Sequence, residues 1–125
     1  MRILVTGSNG QVGQEFNHLA EESRHEWVCL DRHGLDISDE QHVADVIARE
    51  CPDVVINCAA YTAVDKAETE PDKAFAINAY GAANLAKACQ AHGAALIHIS
   101  TDYVFAGDTL TPYQESDPTG PTGIY

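Results

Sequence analysis

Basic residues are scarce in this chain: seven Lys and Arg stand against 19 Asp and Glu, for a formal net charge of −12. Nucleic acid and anionic membrane surfaces are bound through clustered Lys and Arg, so neither is an expected partner. The same field gives no long-range pull on an anionic small ligand, and any phosphate has to be held by local backbone donors. Cysteines in Cys-x-x-Cys spacing are also missing. Cys29, Cys51, Cys58 and Cys89 are scattered, and the expectation is reduced thiols in a cytoplasmic protein. The six histidines show neither i,i+4 pairing nor Cys-His spacing, so no metal centre is expected. No apolar run approaches the ~20 residues of a membrane span, and the start reads as a strand with no signal-peptide core. At 125 residues the expectation is one domain, burying roughly 65–70% of its unfolded surface.

What the chain does have is a strand that runs straight into three spaced glycines. Ile3, Leu4 and Val5 form a short apolar run of the kind buried on both faces of a sheet. Gly7, Gly10 and Gly13 follow, and then an amphipathic helix over about residues 11–22, with Val12, Phe16, Leu19 and Ala20 on its apolar face. A strand, a glycine turn and a helix start put free backbone N–H groups and a positive helix end where a pyrophosphate can sit. A plain βα turn has the same spacing, so the position of the turn behind a buried strand carries the inference.

Alternation continues along the chain. Strand 2 is Trp27–Leu30, closed by Asp31. A second helix is predicted to start at Ser38 with a capping box to Gln41, to bury Val43, Val46 and Ile47, and to stop at Pro52. Strand 3 is Asp53–Cys58, and residues 59–68 read as a loop. A longer helix has Pro71 in its first turn, buries Phe75, Ala79, Ala82, Leu85, Ala86 and Cys89, and ends at Gly93. Strand 4 is Ala94–Ile99, and residues 106–125, rich in Gly and Pro, read as loop. The fold class is therefore α/β, a Rossmann-type doubly wound parallel sheet with helices on both faces. The expected strand order is 3-2-1-4, with the ligand over the switch point between strands 1 and 4.

Several residues in these positions have chemistry to offer. Asp31 ends strand 2 about 20 residues beyond the glycines, where a carboxylate accepts from the adenosine-ribose hydroxyls of NAD and repels a 2′-phosphate. A surface turn aspartate fits the same place, and Arg32 beside it suits a 2′-phosphate instead. NADH is slightly favoured over NADPH on this reading. Asp36 and Ile37 suit an adenine amino group and ring, although Asp36 reads equally as a turn residue. The small residues of Asn57–Thr62 let a dinucleotide pass close to the backbone, or simply let helices pack. Ser100 and Thr101 offer a hydroxyl to a carbonyl oxygen, or a cap to the following turn. Tyr125 offers a phenol as proton donor, but with an unperturbed pKa of ~10 it needs a nearby cation. His98 reads as a histidine at the edge of the core.

Together these pieces carry a family resemblance. Thr6-Gly7-x-x-Gly10-x-x-Gly13 is similar to the extended short-chain dehydrogenase/reductases. Thr62–Glu68, Ser100–Phe105 and Pro112-Tyr113-x-Glu115-x-Asp117 resemble the dTDP-4-dehydrorhamnose reductases among them, over the whole chain. The resemblance implies NAD(P)H-dependent reduction of a dTDP-sugar, dTDP-4-dehydro-β-L-rhamnose, to dTDP-L-rhamnose. It implies that Gly10, Gln11 and Val12 contact the pyrophosphate, within the turn from Gly7 to Gly13. Asp31 would hold the ribose, Asp36 and Ile37 the adenine, and Ala60, Tyr61 and Thr62 the nicotinamide side. Thr101 and Tyr125 would flank the substrate carbonyl, with Asp102 on the sugar nucleotide. The family pattern is Tyr-x-x-x-Lys, and its lysine falls beyond Tyr125, as do the later strands and the sugar-nucleotide subdomain. Residues 1–125 thus correspond to the cofactor-binding domain of a longer reductase, with a homodimer formed, if at all, through other segments. These residues alone are expected to bind NADH weakly and to turn nothing over. The rival readings on the same scaffold are a non-catalytic subunit resembling the β subunit of methionine adenosyltransferase, and a sugar-nucleotide epimerase or dehydratase.

Overall fold

A computed structural model describes all residues, 1–125. Four parallel strands form one sheet: β1 (Arg2–Thr6), β2 (Glu26–Leu30), β3 (Val54–Asn57) and β4 (Ala95–His98). The order is β2-β1-β3-β4, not 3-2-1-4. β3 pairs with β1, Ile3 opposite Val54 and Thr6 opposite Asn57, on the side of β1 away from β2. Burial explains the difference. β3 is buried over three of its four residues, whereas β2 starts at exposed Glu26 and is half-buried beyond it. A strand that is apolar on both faces gains most from a central position, so β3 takes it and β2 is left at the edge. The winding therefore reverses between β1 and β3, and the crevice lies there.

Helices cover the two faces. α1 (Gln11–Glu21) packs one face, where Phe16 stacks on Trp27 at 6.1 Å over Ile3, Val5 and Ile56. α2 (Glu40–Glu50) covers the other with Val43, Val46 and Ile47, against Leu4 and Val55. Its cap is Asp39, which accepts from the His42 N–H at 3.0 Å. Ser38, the predicted cap, instead donates to Asp36 through both its N–H and its hydroxyl. α2 ends with Cys51 at φ 44°, a left-handed residue before Pro52.

The predicted loop after β3 holds a short helix, α3 (Val64–Ala67). The predicted long helix is three pieces: α4 (Pro71–Phe75), a π-helical segment (Ala76–Gly81) and α5 (Ala82–His92). Its buried face is Ala74, Gly81, Asn84, Leu85, Ala88 and Cys89, while Phe75, Ala79 and Ala86 face outward. The expected apolar face was thus about one residue out, because the wide turn lets two asparagines turn inward to serve backbone groups. β4 is the second edge, with Ile97 exposed. Beyond a 3-10 turn at Asp102–Val104 there is no helix or strand, as expected from the sequence. No helix is long and apolar enough to cross a membrane.

Candidate functional site

The glycine turn lies at the β1/β3 crevice. Gly7 has φ +65°, and a Cβ there would lie 2.7 Å from the Cα and N of Ala59. A Cβ on Gly13 would lie 2.3 Å from the Gly7 carbonyl oxygen. Gly7 thus lets the turn touch the end of β3, and Gly13 lets α1 sit directly on the turn. The Gly10 N–H donates to the Gly7 carbonyl at 2.9 Å, closing the turn. Gly10 caps α1 without a side chain, so the N–H groups of the first turn of α1 have no side-chain acceptor. Such a helix end suits an anion.

A cavity of about 520 Å³ opens beside this turn, lined by Gly7, Asn9, Gly10, Asp31, Asp36 and Ile37 on one side and Ala59, Ala60, Tyr61 and Thr62 on the other. That size suits a cofactor or a drug-sized ligand. Hydrogen bonds hold the walls rigid. Asp31 accepts from the N–H groups of Gly34 and His33 at 3.0 Å, and from the Asn9 amide at 3.0 Å. These donors, Gly34 first, hold its carboxyl below the usual carboxylate range. Asp36 accepts from the Ser38 hydroxyl at 2.6 Å and from Arg32 at 3.3 Å, and its carboxyl is likewise held low, chiefly by Ser38. Both halves of the reading of Asp31 and Asp36 are therefore visible: they brace turns, and they line the cavity.

The opposite wall is held from the long helix. Asn78, in the π segment, accepts from the Tyr61 N–H at 2.8 Å and donates to the Tyr61 carbonyl at 3.0 Å. Asn84 donates to the Ile37 carbonyl at 3.0 Å. The Tyr61 hydroxyl donates to Glu70 at 2.6 Å, which pushes the phenol up to about 12 and the Glu70 carboxyl down. Lys73 lies 5.4 Å from the centre of the Tyr61 ring and lines the same cavity.

A second, smaller cavity of about 280 Å³ adjoins the first across Cys58, Ala59, Ala60 and Thr62. Val12, Asn78, His98, Ile99, Ser100, Thr101, Val104 and Tyr125 complete its lining. Thr101 caps the 3-10 turn by accepting from the Tyr103 N–H at 3.2 Å, yet it faces this cavity too. The Tyr125 ring meets Tyr103 edge-on at 5.7 Å. No Lys, Arg, Asp or Glu lines this cavity. Burial pushes the Cys58 thiol up, with nearby Cys29 adding to it, which favours the unreactive thiol form.

Of the residues singled out from the sequence, Gly7, Gly10, Asp31, Asp36, Ile37, Ala60, Tyr61 and Thr62 meet in the first cavity. Val12, Thr101 and Tyr125 meet in the second. Gln11, Gly13 and Asp102 line neither; Gly13 is buried under the turn, and Asp102 is exposed on the 3-10 turn. Missed from the sequence were Asn9, Asn57, Asn78 and Asn84. For the last three, an asparagine inside a helix or strand, where it is locally unfavourable, was the one available signal; Asn9, in the glycine turn, gave none.

The RmlD substrate-binding domain family matches residues 1–125. The chain belongs to this family. A dTDP-4-dehydrorhamnose reductase of Mycolicibacterium smegmatis is 54% identical over 125 residues, 99% of this chain and 38% of that protein. The crystal structure of a dTDP-4-dehydrorhamnose reductase from Clostridium acetobutylicum superposes with a TM-score of 0.97 at 44% identity, over 100% of this chain and 45% of the other. That of the Bacillus anthracis reductase, in complex with NADP, gives 0.94 at 43% identity over 99% and 44%. The chain thus spans less than half the length of these relatives. Family members share the doubly wound arrangement seen here, and the first cavity lies at its point of reversal.

Proposed function

We propose that residues 1–125 are the dinucleotide-binding domain of an NAD(P)H-dependent reductase that converts dTDP-4-dehydro-β-L-rhamnose to dTDP-L-rhamnose. One observation carries this reading: the bare glycine turn and the Asp31 carboxylate line one cavity of about 520 Å³ at the reversal of the sheet. Two glycines without room for a Cβ leave backbone N–H groups open to a pyrophosphate. The relatives named above as reductases, one of them with NADP, support the activity and the cofactor class.

In this reading Gly10, Gln11 and Val12 bind the pyrophosphate, with Gly7 and Gly13 giving the turn its shape. Asp31 binds the adenosine ribose, Asp36 and Ile37 the adenine side, and Ala60, Tyr61 and Thr62 the nicotinamide side. The bound cofactor supplies the hydride for the sugar C4 carbonyl. Thr101 orients that carbonyl by hydrogen bonding, Tyr125 protonates its oxygen, and Asp102 contacts the sugar nucleotide. Asp31 favours NADH, while Arg32, held by Asp36 on an exposed rim, leaves NADPH acceptable. The half-buried Cys29 and Cys58 thiols suit a reducing, cytoplasmic setting.

The test is loss of 340 nm absorbance when the full-length protein meets dTDP-4-dehydrorhamnose with NADH or NADPH. Turnover with either supports the reading. Tight cofactor binding without consumption of this sugar would favour an epimerase, a dehydratase or a non-catalytic subunit.

A further inference from the structure

Thr6, Asn57 and His98 stand in register across β1, β3 and β4 at the carboxyl end of the sheet. Thr6 is 0% and Asn57 1% exposed, and polar groups so deep persist only when hydrogen-bonded. Their bonds form a row with a single polarity. The Ala59 N–H, which can only donate, reaches Asn57 at 3.1 Å, so the amide oxygen must face it. The Thr6 hydroxyl donates to the same oxygen at 2.5 Å. The amide nitrogen is left to donate to His98 Nδ1 at 2.9 Å, so Nδ1 must accept and the neutral imidazole carries its proton on Nε2.

A second proton would break the row. It would set an Nδ1–H against the Asn57 N–H. If Asn57 turned its amide over, the clash would move to the Ala59 N–H. In that second case Ala59 keeps only the Thr6 oxygen, at 3.3 Å. Ala59 lines both cavities, and its backbone is what Gly7 packs against. We propose that His98 is a positioning residue for the dinucleotide cavity: through Asn57 it fixes the Ala59 peptide and the glycine turn against it, and its protonation loosens both. The proposal rests on the dinucleotide reading given above. Charge around His98 is sparse. Its partner on β3 is uncharged, and the other titratable groups of its cavity are Cys58 and Tyr125. α5, packed against β4, carries Lys87, which pairs with Glu40, buried Cys89, and His92 at its end.

The test uses NAD⁺, which has no 2′-phosphate to titrate, and compares wild type with His98→Gln, a neutral acceptor that takes up no proton. The wild-type Kd should rise about three- to tenfold between about pH 8 and pH 5.5. His98→Gln should lose that rise. The comparison isolates His98 from His33, which lines the first cavity. A second measurement needs no variant: the Ala59 amide resonance should shift in step with the His98 ring as pH falls. An equal rise in Kd in both proteins, or an Ala59 amide indifferent to the His98 titration, overturns the proposal. Failure of wild type to bind NAD⁺ or NADP⁺ at any pH overturns the dinucleotide reading instead, and the resonance measurement still decides the role of His98.

Discussion

The two adjoining cavities are built differently. In the first, the residues that would touch a ligand are already committed to the scaffold: Asp31 to three donors, Asp36 to Ser38 and Arg32, Tyr61 to Asn78 and Glu70. Such a site costs little reorganisation to fill, because its shape exists before the ligand arrives. The second stands on the exposed edge strand and the irregular chain beyond it. Of its two hydroxyl candidates, Thr101 is tied only to its own short turn, donating to Asp102 and accepting from the Tyr103 N–H, and Tyr125 meets an edge-on ring. Binding is prepared here in a way that chemistry is not. No cation stands beside Tyr125 in this cavity.

Substitutions divide along that boundary. Tyr125→Phe in the full-length protein should lower kcat about 10²- to 10⁴-fold and leave cofactor Kd within about twofold. A parallel loss of cofactor affinity, read by fluorescence titration, would erase the distinction between the cavities. Gly7→Ala should act in the opposite sense. A left-handed alanine whose Cβ meets the Ala59 backbone at 2.7 Å should cost about 2–5 kcal/mol, seen as a lower melting temperature and as lost cofactor binding.

Asp31→Asn keeps the shape and removes the charge. NADH affinity should fall about 10- to 100-fold, and NADPH affinity much less, since a 2′-phosphate gains nothing from the carboxylate. Equal losses for both cofactors would make Asp31 a turn brace only.

The smallest effects concern pH. Asp31 and Asp36 have carboxyls held low, so their stabilisation is complete above the unfolded value of about 3.9 and is lost as pH falls through their folded values. Asp36→Asn should therefore flatten the acid limb of the melting curve slightly. The Tyr61 phenol, raised to about 12, works the other way. Its contribution is complete below the unfolded value of about 10 and fades as pH rises toward the folded one. Tyr61→Phe should be less stable at neutrality, and that deficit should vanish in strong alkali.

Much of the first cavity was legible because glycine spacing and a strand-ending aspartate are local signals. The second was legible only as separate residues, since Thr101 and Tyr125 are brought together by the irregular chain between them. Strand order was not local: it depended on β3 being more deeply buried than β2, a competition between segments far apart in sequence. The cap of α2 was read one residue early because Ser38 had a better partner in Asp36. Asn57, Asn78 and Asn84 were silent because each gains its meaning from groups far away in sequence: Asn57 from the Thr6 and His98 side chains, the other two from backbone.

The π segment at Ala76–Gly81 also bears on which changes of chain length the fold can absorb. A π turn amounts to one residue more than an α-helix needs, so removing one would let the helix run on regularly. A further residue added between Asn78 and Asn84, with no second wide turn to absorb it, would instead rotate everything beyond by about 100° relative to what precedes it. Asn78 and Asn84, which hold opposite walls of one cavity, would then no longer serve both. The irregular stretch from Gly107 to Gly123 has no such constraint, so natural gain or loss of residues should collect there and spare this helix.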